Sequence, residues 1–308
     1  RGTRTSRRRP TPGAPRRHQM INFVALPLVL TLGVALAGSR RLDRLRPATA
    51  ARCSAVLLAA VAIATIPTLW LIGLSGLAHM GFHNPVTDWS QHLLPDYPPF
   101  GAIIGIGSLI AAVAGTVRAT RVLAHHRSLR CTDTCPVEFI PTDEVYAYTL
   151  PGPARTIAIS NGLRNALDDR EFDVVMAHEQ AHARHRHDRY KLLALLTTAF
   201  IPPIAPVMAR LDFYLERWAD EEALEHTGAE RRLAARTIAK VALAGPSPQP
   251  ALGIADHGVA ARAAALLAPI EQPDATVRVQ TAMVIAATLA FAGYQLHHSL
   301  MFAADLIR

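Results

Sequence analysis

Four stretches of this 308-residue chain, at about 21–39, 53–79, 100–117 and 279–296, contain no Asp, Glu, Lys or Arg. Each is long enough to cross a hydrocarbon core of about 30 Å as a helix. Burial inside a soluble core is the alternative, but three such runs in close succession argue against it. A chain that is 50% hydrophobic is also too apolar for an ordinary soluble domain. A signal peptide is a weak reading of the first run, because further spans follow it.

The loops orient these spans. Loop 40–52 carries Arg40, Arg41, Arg44, Arg46 and Arg52 against a single Asp43, whereas loop 80–99 has no Lys or Arg. The excess of positive charge on cytoplasmic loops puts 40–52 inside and 80–99 outside. The third span then returns the chain to the cytoplasm, where Arg118, Arg121, Arg127 and Arg130 follow. Residues 1–19 are rich in Arg, Pro and Thr, cannot bury a core and are expected to be disordered. This topology places them outside, a conflict that a start at Met20 removes. No aromatics interleave their arginines, so direct nucleic-acid binding is not expected. Of the three cysteines, Cys131 and Cys135 could be half of a metal site, but without a second pair they read as ordinary thiols.

The chemistry sits at His178-Glu179-Gln180-Ala181-His182. On a helix, residues four apart lie one above the other, so His178 and His182 can grip one Zn²⁺ while Glu179 projects toward a metal-bound water. The surroundings are helical. Asp168 or Asp169 can cap, Glu171 and Asp173 suit the positive end, arginines gather at the other, and Phe172, Val175 and Met176 form an inward stripe. A solvated histidine-rich face is the competing reading in a chain with 14 histidines.

A third ligand decides between them. In Tyr214–Ala223, Glu216 and Asp220 are four residues apart and share a face. Glu216 can complete a His₂Glu site with one position left open, the pattern of catalytic rather than structural zinc. Asp220 can accept the second N–H of a ligand histidine and fix its tautomer. The alternative is a solvated acidic run, Glu216–Glu222.

With these residues in view, the chain resembles the gluzincin membrane peptidases, particularly the BlaR/MecR antirepressors and more distantly the HtpX and CAAX-protease group. The resemblance rests on Val145–Gly152, Thr156–Leu163, His178–Asp188 and Glu216-Arg217-Trp218-Ala219-Asp220, within residues 140–226. It implies a zinc-dependent endopeptidase with Glu179 as general base. It also implies that one of two strands, Tyr146–Leu150 or Ile157–Ser160, is an edge that pairs with extended substrate, with Ile157, Ala158 and Ile159 as the contact residues. A hairpin that merely covers the core is the alternative. A protein or peptide substrate follows, such as a transcriptional repressor. A housekeeping membrane protease of HtpX type and a non-catalytic membrane signalling or scaffold protein are the rivals. Unlike in the β-lactam receptors, no extracellular sensor domain is expected after about residue 297. A stimulus is expected through the spans, loop 80–99 or a partner.

Residues 192–209 pose a geometric problem. They are as apolar as a span, yet a single crossing would strand Glu216 across the bilayer from the histidines. The segment therefore reads as a re-entrant or interfacial helical hairpin broken at Pro202, Pro203 and Pro206. Ser160 or Asn161 can cap a helix at Leu163–Leu167, helices continue over 210–244 and 251–268, and Gly245–Pro250 is a loop. The expected fold is mainly α. It is a polytopic membrane protein with a small α+β, zincin-like (gluzincin) catalytic domain inserted between transmembrane helices: spans within 20–117, the catalytic domain at 118–278, and the last span and tail at 279–308.

Overall fold

A computed structural model of the chain describes residues 18–81, 100–130, 136–245, 255–268 and 273–305. The basic residues 1–17, most of loop 80–99, Cys131, Cys135 and the proline-rich loop after Gly245 lie outside the described residues. The apolar runs form helices α1 (His18–Ser39), α2 (Pro47–His79), α3 (Phe100–Ser128) and, at the end of the chain, α10 (Ala275–Asp305). Among the described residues, Pro47–Leu77, Ala102–Ser128 and Ala275–Met301 are long and apolar enough to cross a membrane, which makes the chain membrane-associated. The first run falls partly outside, since the side chains of 18–27 are not described.

The packing follows from small residues and outward apolar ones. A Cβ added to Gly76 would come within 2.4 Å of the Gly105 Cα, so the backbones of α2 and α3 touch where only glycine fits. Gln295 of α10 donates to the Thr68 hydroxyl of α2 at 2.9 Å, a buried bond between two spans. Ile103, Ile110 and Val113 on α3 and Val279, Met283 and Leu289 on α10 face outward, as lipid rather than water would allow.

After α3 the chain forms a three-stranded sheet, β1 (Val137–Ile140), β2 (Ala147–Thr149) and β3 (Ile157–Ser160), in the order β1-β3-β2. β3 runs parallel to β1 and antiparallel to β2. This corrects one expectation. Ile157, Ala158 and Ile159 do not form an edge, because β3 is paired on both sides and all three residues are buried. Their backbone groups are spent within the sheet, the side chains of Ile157 and Ile159 face the core around Leu163 and Leu167, and Ala158 is buried on the other face. The sequence-derived pair lacked its third member, and β1 converts the supposed edge into the centre.

Ser160 caps α4 (Asn161–Ala166), its hydroxyl accepting from the Leu163 N–H. Asp168 then caps α5 (Asp169–His185) through a reciprocal capping box with Glu171. Glu171 has a second task. It is buried and accepts from Lys240 at 2.6 Å on α8 (Arg231–Ala244), which fastens the start of α5 to that helix. The apolar segment that follows folds as α6 (His187–Phe200), a 3₁₀ turn at Pro202–Ile204, and α7 (Ala205–Thr227). Its prolines end one helix and open the next. Ile201 and Ile204 at the turn join the same buried cluster as Ala35, Leu57, Leu58 and Val61 of the spans. A Cβ on Gly115 of α3 would collide with Phe200, so the end of α6 sits flush on that span. α7 then runs back along α5, and α9 (Ala255–Leu267) packs on α8.

Glu171 gives the first test. The hydrogen bond from Lys240 holds its carboxyl below the ordinary carboxylate range, against the opposing effect of burial. Its contribution to stability is therefore complete above the unfolded pKa and fades as pH falls through the lower folded one. Glu171→Ala is expected to cost about 2 kcal/mol at neutral pH, from the lost cap and the charge-assisted bond. Thermal melting of the detergent-solubilised protein measures it, and the difference from wild type should shrink in acid.

Candidate metal centre

α5 carries HExxH with both histidines on one face, and α7 delivers Glu216 opposite them. His178 Nε2 and His182 Nε2 lie 3.1 Å apart, and Glu216 Oε2 lies 3.4 Å from the first and 3.6 Å from the second. Ligand atoms of these three side chains all fall within 4.8 Å of one another, a group that could hold one metal ion. The two Nε2 atoms are kept on the inside because each Nδ1 is engaged elsewhere. His178 Nδ1 meets Asp220 Oδ1 at 2.9 Å, and His182 Nδ1 meets His187 Nδ1 at 2.7 Å. Asp220 thus stands where sequence spacing put it. Glu179, almost buried, has Thr149 Oγ1 of β2 2.9 Å from its Oε2.

Three participants escaped sequence reading. Arg262 of α9 grips Asp220 with two bonds, Nε to Oδ2 at 2.9 Å and a terminal nitrogen to Oδ1 at 2.6 Å. Its other terminal nitrogen lies 3.2 Å from Glu216 Oε2. Lys191 of α6 reaches Glu216 Oε1 at 3.1 Å. His187 lies inside the motif run without a role that spacing could assign. Arg262 did leave a trace, as the one Lys or Arg between Lys240 and Arg278, in an alanine-rich helix. The rest of the acidic run is also spent on contacts rather than solvated. Glu221 forms a paired bridge to Arg231 at 2.8 Å, and Glu222 meets Arg184 and His185.

Electrostatics follow from this crowding. Burial opposes a charge on His178, but hydrogen bonds to Asp220 and Glu216 outweigh it and push its pKa up to about 10 in the metal-free site. Burial likewise opposes the Glu216 carboxylate, yet His178, His182 and Lys191 hold its pKa well below the ordinary value. Asp220 is held down mainly by Arg262 and His178 despite its burial. His187 is pushed down to about 2 by burial and by the neighbouring His182 and His185. A cavity of about 250 Å³ opens at His178, Glu179 and Glu216, and its walls are apolar where Val174, Ala223, Ile238, Val241 and Val259 contribute.

Residues 123–214 match the model of peptidase family M48. The match supports a metallopeptidase. No curated protein sequence matches the chain. The matched region contains the HExxH helix and stops two residues short of Glu216, so the carboxylate joins the site on geometry alone.

Because His178 is protonated below about pH 10 without metal, a divalent ion entering the site must displace that proton. Metal affinity should therefore rise with pH, by about tenfold per unit for one displaced proton. Competition with a chromophoric chelator across neutral pH measures the slope, and a flat profile would contradict the site's electrostatics.

Proposed function

We propose that the protein is a membrane-embedded zinc endopeptidase that cleaves a cytoplasmic or membrane-associated protein. The observation that carries this reading is the convergence of His178, His182 and Glu216 from two helices, beside Glu179. Two imidazoles and one carboxylate suit Zn²⁺, and both Nε2 atoms are free to face it because the Nδ1 atoms are occupied by Asp220 and His187. When bound, zinc would act as Lewis acid on the scissile carbonyl and raise the acidity of a water.

The chain's own residues supply the rest. Glu179 takes the proton of the attacking water and hands it to the leaving amine. Thr149 orients that carboxylate from β2. Asp220 and Arg262 fix the rotation of His178, while Arg262 and Lys191 keep Glu216 ionised. With β3 enclosed, the strand offered to an extended substrate is β2, Ala147–Thr149, which lies at the sheet edge against α5. The apolar cavity beside Glu179 then receives an uncharged substrate side chain.

Orientation follows from charge and contact together. Loop 40–52 is the arginine-rich one, and it touches the helix that bears Glu216. Asp43 meets Arg210 at 2.7 Å and also binds Tyr214, and the Arg52 guanidinium stacks on Trp218. Loop and site share one side of the bundle, so the positive-inside rule puts the site in the cytoplasm. The hairpin 192–209 is then re-entrant. Its turn residues Ile201 and Ile204 are buried in one cluster with Leu57, Leu58 and Val61 of α2, and the chain comes back from there. A repressor or other regulatory protein as substrate rests on the resemblance to the BlaR/MecR peptidases. The M48 match does not separate that role from membrane quality control of HtpX type.

Glu179→Gln tests the reading. Cleavage should fall by about 10²–10⁴-fold while zinc content and fold persist. Comparison of the proteomes of cells carrying wild type and variant would reveal the substrate as the protein that accumulates. Undiminished cleavage by the variant, with contaminating proteases excluded, sinks the assignment.

A further inference from the structure

The two ligand histidines are held differently. His178 has a carboxylate behind it, the common arrangement for a metal-bound imidazole. Behind His182 stands another imidazole, with the two Nδ1 atoms 2.7 Å apart. A bond between two nitrogens needs one proton, and the metal decides where it is. If His182 offers its Nε2 lone pair to an ion, its own proton must sit on Nδ1 and be donated. His187 Nδ1 must then accept, which leaves the His187 proton on Nε2.

That Nε2 is buried and has no hydrogen-bond partner among the described residues, in a residue that is 1% exposed. An unsatisfied buried donor is unfavourable, so something else fixes the ring. Trp218 packs on it with ring centres 4.8 Å apart, Tyr190 meets it edge-on at 6.2 Å, and His185 stacks at 5.9 Å. Arg52, at the start of α2, lies 4.8 Å over the Trp218 ring and adds to the stack. The backbone adds its own constraint. Arg186 alone links α5 to α6, in a left-handed conformation (φ +54°) that a non-glycine residue adopts only when its surroundings hold it there.

We propose that His187 is a positioning residue of the metal centre, its Nδ1 accepting the proton of His182 Nδ1 and locking that ligand with Nε2 toward the ion. The proposal rests on the metallopeptidase reading above and adds to it a fixed tautomer for both rings. Trp218 and Arg52 form the wall that holds His187, so the rotation of the second ligand is set from helix α2.

The test uses the purified full-length protein in detergent and reads zinc affinity by chelator competition alongside kcat and KM for a cleaved peptide. His187→Phe keeps a ring against Trp218 but removes the acceptor, and should weaken zinc binding by about 10–100-fold and lower kcat with KM little changed. His187→Asn places a carbonyl oxygen near the former Nδ1 and should recover most of the loss. Equal behaviour of the two variants, or His187→Phe within about twofold of wild type, overturns the proposal while leaving the enzyme reading intact. Wild type that binds no zinc overturns both. Should both variants misfold, ¹⁵N NMR of histidine in zinc-loaded wild type decides. The proposal requires His187 neutral with its proton on Nε2, and a proton on its Nδ1 refutes it.

Discussion

Everything at the site depends on the chain turning back between His187 and Glu216. The intervening segment is apolar enough to be drawn into the bundle and broken enough not to pass through it. Pro202 and Pro203 end α6, and the buried cluster of Ile201 and Ile204 with Leu57, Leu58 and Val61 anchors the turn. Only because α7 packs back against α5 does the Glu216 carboxylate come level with two imidazoles on another helix. The small sheet, the capping box and the Glu171–Lys240 bridge hold α5 at one end, and the Asp43–Arg210 contact holds α7 to the α1–α2 loop.

Around this frame the charges are arranged in two chains. One runs from Arg262 through Asp220 to His178, and its members are close enough to keep one another ionised. The other runs from Arg52 through Trp218 and His187 to His182, and relies on stacking and burial rather than on net charge. Both chains end on the Nδ1 of a motif histidine, the nitrogen turned away from the site, and each begins on an element that sequence distance separates widely from the motif. Arg262 belongs to α9 and Arg52 to α2. The candidate metal centre is thus the meeting point of α5 and α7 with the apolar helix bundle.

How much of this was legible depended on range. The grouping of His178, His182 and Glu216 with Asp220 was readable because i, i+4 spacing on a helix fixes a face without any tertiary knowledge. The helical break at 201–204 was readable from its prolines. The assignment of β3 as an edge failed because strand order is a property of pairing, and Val137–Ile140, the strand that encloses it, is a four-residue segment with no strong alternation. Arg262 lay beyond reach for a similar reason. It is 42 residues from Asp220, and nothing local marks an arginine in an alanine-rich helix as the partner of a carboxylate there. His187 was visible in the sequence but its function was not, since a ring nitrogen's role depends on which atom faces it.

The central claim is that two imidazoles and one carboxylate from α5 and α7 hold a single zinc ion. X-ray absorption at the zinc edge of the purified protein tests it most directly. The account predicts one zinc per chain, with two imidazole nitrogens and the remaining ligands oxygen, at about 2.0–2.2 Å. A spectrum with sulfur at about 2.3 Å would point instead to Cys131 and Cys135, and that result, or a protein that holds no zinc, would contradict it.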